Sequence, residues 1–207
     1  MGTIVPFRGN ASARARLRQA QQRRELVRLW RDGLEHGSYG GYVAGIGHEF
    51  FLLRVIGDGI TDEGLVAMRH RDVTELEAPD THHRFIEKAL AIKRIAPELP
   101  DDFPLDAAND VVHAAAHLAP VLGVQVDSEE DSDVCYVGRL VQSDNDGFML
   151  QEIDPDARWL HEASFFAWDE LSTLSMGDPY ARALQSVAGP APSLQPSESG
   201  HGQGDGP

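Results

Sequence analysis

Apolar residues along this chain come in short runs separated by polar turn signals. Runs such as "YVAGI" (42–46), "FFLLRVI" (50–56), "YVGRL" (136–140) and "GFMLQEI" (147–153) are rich in Val, Ile, Leu, Tyr and Phe. Between and around them stand "RDG" (31–33), "GDGITDEG" (57–64), "SDNDG" (143–147) and "DPDA" (154–157). Such runs bounded by Gly, Asp and Asn predict strands joined by tight turns. The pattern is that of antiparallel meanders, without the strand and long-helix alternation of a parallel sheet.

The order of runs occurs twice. The first half reads "YVAGI", "FFLLRVI", "LVAMRHRDVTEL", "RFIEKAL", and the second "YVGRL", "GFMLQEI", "SFFAWDELSTL", "PYARAL". Offsets of 94 residues at Tyr42 and Tyr136, 97 at Phe51 and Phe148, and 98 at Leu76 and Leu174 put the insertions between strands, and a tandem duplication explains them. About 50 to 60 residues of such strands are too few for a large sandwich but close as a five-stranded barrel, which also removes exposed edges. Two helical segments fit the scheme. In "ASARARLRQAQQRRELVRLW", Ala13, Leu17 and Ala20 recur at helical spacing and the arginines point elsewhere. "DAANDVVHAAAHLAP" follows the proline-containing acidic stretch "RIAPELPDDFPLD" (94–106) that divides the chain. The expected fold is mainly β with flanking helices: two tandem five-stranded antiparallel small barrels, each preceded by a helix. The boundaries are 1–94 with the Arg-rich helix, a linker at 95–105, 106–187 for the second barrel, and a disordered Pro/Gly/Ser-rich tail at 188–207.

The glycines of "GSYGGYVAGIGHEFFLLRVI" (37–56) raise the question of a phosphate-binding loop. Such a loop needs a helix N-terminus directly after it, because helix amides bind the anion. Here a β run follows, and the second half keeps the turn and the apolar strand with fewer glycines. The glycines are read as points where a strand bends to close a small barrel.

Composition adds limits. The 207 residues, 42% hydrophobic, suit one ordinary core or two small ones. No apolar segment reaches the roughly 20 residues that span a bilayer, and the N-terminus lacks the apolar stretch of a secretory signal, so a cytoplasmic protein without membrane contact is expected. Cys135 is the single cysteine, which excludes an intrachain disulfide and a thiolate metal cluster within one chain. A net charge of -15 disfavours generic RNA binding, yet residues 1–32 carry +6 and the remainder -21. The basic character is confined to one end.

With these elements in view, the first half resembles an Sm-like domain, the small SH3-like barrel of RNA-associated ring proteins. "ELVRLWRDGLEHGSYGGYVAGIGHEFFLLRVI" follows the family's course of helix, strand with an Asp-Gly turn (Asp32, Gly33) and glycine-bearing bent strand, and Arg69 in "MRHRDV" matches the arginine of the fourth-strand motif. The resemblance covers about residues 13–76 and, more faintly, 106–174. It implies a divergent tandem Sm-like protein of bacterial type, which the use of Arg, Ala and Gly with only two lysines also suits. In the family, an Asn of the third strand and an Arg and Gly of the fourth form a uridine pocket. Here the arginine is kept as Arg69, but the third-strand Asn position is Phe51, the Gly position His70 and a further Asn position of the fourth strand Asp72; in the second half these are Phe148, Trp168 and Glu170, and the arginine is Ala167. Neither half has the pocket, so the RNA function is not carried over, while the barrel and its association through strand edges are.

No catalytic motif appears, and no cofactor is implied. His113 and His117, four apart in "NDVVHAAAH", share a helix face as metal sites do, with Asp110 a turn earlier; two exposed histidines on a helix is the plainer reading. Phe50, Phe51, Phe165, Phe166 and Trp168 lie in apolar strand runs and read as core or interface groups. Arg14, Arg18, Arg23 and Arg24 with Arg69 and Arg71 would carry RNA contacts if there are any. The expected function is a non-catalytic binding or assembly module, associating with a protein partner or with itself through barrel edges. The alternatives are an RNA-binding regulator using the Arg-rich helix and a metal-dependent enzyme built on His113 and His117.

Overall fold

A computed structural model describes residues 4–6, 10–127 and 134–194. Residues 128–133 and the part from 195 onward of the tail expected to be disordered lie outside the described residues. The described residues of the chain are mainly β, with four α-helices among them. Its elements are β1 (Ile4–Pro6), α1 (Asn10–Arg23), β2 (Leu26–Trp30), β3 (Tyr39–Ile46), β4 (Phe50–Ile56), β5 (Asp62–Arg69), β6 (Glu75–Glu77), α2 (His83–Lys93), α3 (Ala108–Leu118), β7 (Leu122–Val126), β8 (Tyr136–Ser143), β9 (Gly147–Ile153), β10 (Trp159–Ala167), β11 (Leu171–Met176) and α4 (Pro179–Ala188).

All strand pairs are antiparallel and join into one sheet of order β1-β6-β2-β3-β4-β5-β11-β7-β8-β9-β10. Leaving β1 aside, each half contributes five strands in one order: the fifth, first, second, third and fourth of that half. The sheet runs through both halves without a break, because β5 pairs with β11.

Registers fix the correspondence of the halves. Tyr39 stands opposite Leu29, and Leu29 opposite Leu76; Tyr136 stands opposite Val124, and Val124 opposite Leu174. Leu76 and Leu174 are therefore equivalent, 98 apart, and Phe51 and Phe148 are equivalent, 97 apart, since they face Ile46 and Ser143, which are 97 apart as Tyr39 and Tyr136 are. The partner of Tyr136 is Tyr39, not Tyr42. Short apolar runs slide easily past one another in sequence, whereas cross-strand pairing does not.

The run "FFLLRVI" is apolar on both faces for a structural reason. In β4, Phe50 and Leu52 enter one core, while Phe51, Leu53 and Val55 enter another; β5 divides Leu65 and Ala67 from Val66 and Met68 in the same way. One core belongs to the first half and is roofed by Ala13, Leu17 and Ala20 of α1. The other is shared between the halves, with Val111, Val112 and Ala115 of α3 packing among Phe50, Leu52, Phe148 and Leu174. Strands buried on both faces lose the polar alternation of a half-exposed sheet.

The helix ends have local causes. α1 stops at Arg24, which takes left-handed backbone (φ 52). α4 starts on Asp178, whose carboxylate accepts from the Ala181 amide at 2.8 Å, has Pro179 in its first turn, and ends at Gly189 (φ 71). The stretch after Ala188 is held for a few residues: Gly189 O accepts from Trp159 Nε1 at 3.0 Å and Pro192 O from Arg139 at 3.0 Å. The linker is anchored at its end, where Leu105 is buried and its carbonyl accepts from the Phe50 amide at 3.0 Å.

The glycines answer to close approach. A Cβ on Gly41 would stand 2.2 Å from the Arg54 carbonyl oxygen, one on the equivalent Gly138 2.3 Å from that of Gln151, and one on Gly47 2.2 Å from the Leu105 backbone. Gly41→Ala is expected to destabilise the fold by roughly 1–3 kcal/mol, since backbone must shift to admit the methyl group, whereas Gly59→Ala, with only Thr61 side-chain atoms near it at 3.6 Å or more, stays close to wild type. Urea unfolding midpoints of the two variants check this.

Candidate functional site

The junction of the halves holds the densest polar chemistry among the described residues. The β5–β11 ladder sets Met68 opposite Thr173, Ala67 opposite Leu174, Val66 opposite Ser175 and Leu65 opposite Met176. Two buried arginines of the first half reach into the second. Arg69, 7% exposed, ends β5 and donates through Nε to Leu171 O and through a terminal nitrogen to Trp168 O, both at 2.6 Å. Its guanidinium lies 5.1 Å from the Phe50 ring centroid and 3.8 Å from a Glu49 carboxylate oxygen. Arg31, 1% exposed, donates to Glu35 at 2.7 Å, to the Ser172 hydroxyl at 3.2 Å and carbonyl at 3.4 Å, and to the Thr173 hydroxyl. Glu35 also accepts from the Tyr39 hydroxyl at 2.8 Å, and burial, with Glu35 beside it, pushes the Tyr39 phenol well above its ordinary value. A buried guanidinium is tolerable only when its donors are engaged, and Arg31 and Arg69 both meet that condition partly through groups of the other half.

Two clefts border the ladder. One, of about 450 Å3, is lined by Tyr39, Val66, Cys135, Thr173 and Tyr180. Cys135 is an exposed free cysteine; desolvation, with Asp178 nearby, pushes its thiol up to about 11, so it is protonated at neutral pH. The other, of about 370 Å3, is lined by Glu49, Arg69, Asp144, Trp168 and Asp169. Its acidic rim and committed arginine leave no free cation for an anionic ligand.

The positions equated with a base pocket are filled by rings. Phe51 is fully buried with its centroid 5.4 Å from that of His70; in the second half the equivalent Phe148 stacks on Trp168 at 5.2 Å, and Trp168 Nε1 donates to Asp144 O at 3.1 Å. Each half thus places an aromatic pair where a polar pocket would open. His70 is 3% exposed; Nε2 lies 3.3 Å from Gly47 O and Nδ1 has no partner. Burial lowers its pKa to about 4, so the ring is neutral in the fold.

The remaining candidates are scattered. Arg18 and Arg23 are exposed on α1 and Arg24 just after it, and Arg14 is half-buried, with Arg23 3.8 Å from Glu25. Arg71 is exposed and donates to Asp169 O at 3.3 Å. His113 and His117 are exposed on α3, and His113 Nε2 lies 3.0 Å from the Ser143 hydroxyl. No group of three His, Cys, Asp or Glu placed to hold a metal occurs among the described residues. Phe50 and Phe51 are interior, Phe166 is buried, Trp168 is half-buried and Phe165 is 52% exposed. Sequence reading passed over Arg31, although it continues the inward parity of Val27 and Leu29 along β2. It also passed over β1, too short to carry a periodic signal. No described helix is long and apolar enough to cross a membrane. Compared with known proteins, the chain matches no family model, no curated protein and no solved structure.

Arg69→Ala would leave the Leu171 and Trp168 carbonyls without donors, and a loss of about 2–4 kcal/mol is expected, with Arg69→Lys restoring only part because one ammonium does not reproduce the fork. Denaturant unfolding measures both. A pH effect follows from His70. Its pKa is near 6.5 unfolded and about 4 folded, so between those values the unfolded chain binds the extra proton, and stability falls as pH drops through that window, by up to about 1.4 kcal/mol per unit. Asp72, raised by burial, acts in the opposite sense and cancels when wild type is compared with His70→Phe. The difference in unfolding free energy between the two proteins should therefore slope between pH 6.5 and 4 and be flat above pH 7.

Proposed function

We propose that the chain is a tandem pair of divergent Sm-like small barrels of bacterial type, acting in the cytoplasm as a non-catalytic assembly module through its strand edges. The observation that carries this reading is the β5–β11 ladder, in which the fourth strand of one half pairs with the fifth strand of the other. The twofold occurrence of one strand order, with α1 and α3 ahead of the first strand of each half, supports it. Within this reading residues 1–94 and 106–187 are the two units, and 95–105 is a tether docked through Leu105.

An RNA-binding regulator is the second reading, favoured by the exposed Arg18 and Arg23 on α1 and Arg24 just after it. Against it stand the net charge of -15 and the rings at both base-pocket positions. Co-purification of the full chain from its native cell, with protein and nucleic acid identified in one sample, separates the two. Assembly predicts a stoichiometric protein partner or second copy, resistant to nuclease and lost on Phe165→Glu. RNA retained at low salt, released as salt rises and lost when Arg14, Arg18, Arg23 and Arg24 become Ala, would overturn assembly in favour of the regulator.

A further inference from the structure

The two ends of the sheet are not alike. β10, nine residues long, closes one end with nothing paired to its outer side among the described residues, and Phe165 on it is 52% exposed. At the other end the outer side of β6 is taken by β1, a strand of three residues.

The registers identify what β1 replaces. Leu76 of β6 is equivalent to Leu174 of β11, and each is paired on its outer side. Leu174 faces Ala67 of β5, while Leu76 faces Val5 of β1. Both partners run antiparallel, so β1 holds against β6 the place that β5 holds against β11. The second-half equivalent of Ala67 is Phe165, since Met68 and Phe166 stand opposite the equivalent Phe51 and Phe148. Ala67 is fully buried in the core that the halves share. Phe165, at the same position, is left uncovered.

We infer that the outer edge of β6 is a binding surface for β10 of a second copy, for which β1 is the occupant within the chain. This rests on the assembly reading and names the partner in it. The register follows from the internal junction: Phe166 opposite Glu75, Phe165 opposite Leu76, and Ser164 opposite Glu77 of the other copy. β1 is a weak occupant by construction. It offers three residues, and Pro6 has no amide hydrogen to donate. It is also tethered to α1 by residues 7–9 alone, and a short tether gives an effective concentration on the order of mM. The intact chain therefore stays monomeric at micromolar concentration and associates head to tail when β1 is dislodged.

Sedimentation velocity on full-length wild type, Val5→Pro, and Val5→Pro with Phe165→Glu tests this, with circular dichroism confirming that each is folded. Val5→Pro should associate at least tenfold more tightly than wild type, and Phe165→Glu should reverse it. Register is read separately in a Cys135→Ser background, where Ser164→Cys with Glu77→Cys should give an interchain disulfide under mild oxidation, and Ser164→Cys with Glu75→Cys markedly less. Should Val5→Pro fail to fold, the same cross-link at high concentration of the chain with native β1 decides the matter. A folded Val5→Pro that stays monomeric, or cross-linking without register preference, overturns the inference. A stoichiometric foreign partner in the native co-purification would then leave the assembly reading standing, and its absence would end that too.

Discussion

The fold depends on the antiparallel ladder between β5 and β11. Where the halves meet, β4 and β5 have a core on each side, so their residues are buried in both directions, and the core shared between the halves is complete only when the junction is closed. Phe50, Leu52, Leu65 and Ala67 would be largely uncovered on the first half by itself, a contiguous apolar face of the kind that drives association. Arg31 and Arg69 make the junction specific as well as adhesive. Each is a buried cation whose partners include carbonyls or hydroxyls of the other half, so a shifted register would strand charge in the interior. The two halves are thereby one cooperative structure, whatever their origin.

What was legible in the sequence follows from the range of the forces involved. The inward face of α1 was readable because helical spacing is local: Ala13, Leu17 and Ala20 repeat at intervals that the helix sets. The β run after the glycines was readable from its apolar residues, whereas the reason for Gly41 is the Arg54 carbonyl oxygen 2.2 Å from where a Cβ would stand, on the neighbouring strand. The reason for Gly47 was not readable, because its neighbour is the backbone of Leu105, far along the chain. The same holds for the partners of Arg69 and for the continuous apolar run at 50–56, which looked like ordinary strand and is in truth a strand between two cores. The offset at Tyr42 slipped because Val, Leu and Tyr are interchangeable in a pattern and are not interchangeable in a ladder. Among the site candidates, the aromatics in strand runs were legible as apolar groups, but only three-dimensional pairing separates the interior Phe51 from the exposed Phe165.

The rings at Phe51–His70 and Phe148–Trp168 carry a chemical consequence. A polar recognition site must keep donors and acceptors free and accessible, and these positions instead bury aromatic surface. In the first half the one polar ring of the pair is held neutral by burial, and in the second the indole hydrogen is spent on the Asp144 carbonyl. The nearby cleft is rimmed by Glu49, Asp144 and Asp169. The ring pairs themselves present no accessible free donor or acceptor to a nucleobase.

On the assembly reading, the strand edges are what the molecule has to act through. A sheet must end somewhere, and an uncovered strand invites any other strand. β6 is short, carries Glu75 and Glu77, and is covered by β1. β10 is longer but broken by a register shift between Trp159 and Ala163 and carries His161 and Glu162 in that stretch. Indiscriminate pairing along its full length is blocked there, whereas the regular segment from Ala163 to Ala167 remains straight enough to pair. An edge that is irregular at one end and regular at the other selects a short partner of matching register, and the fifth strand of each half, three residues in β6 and six in β11, is of that kind.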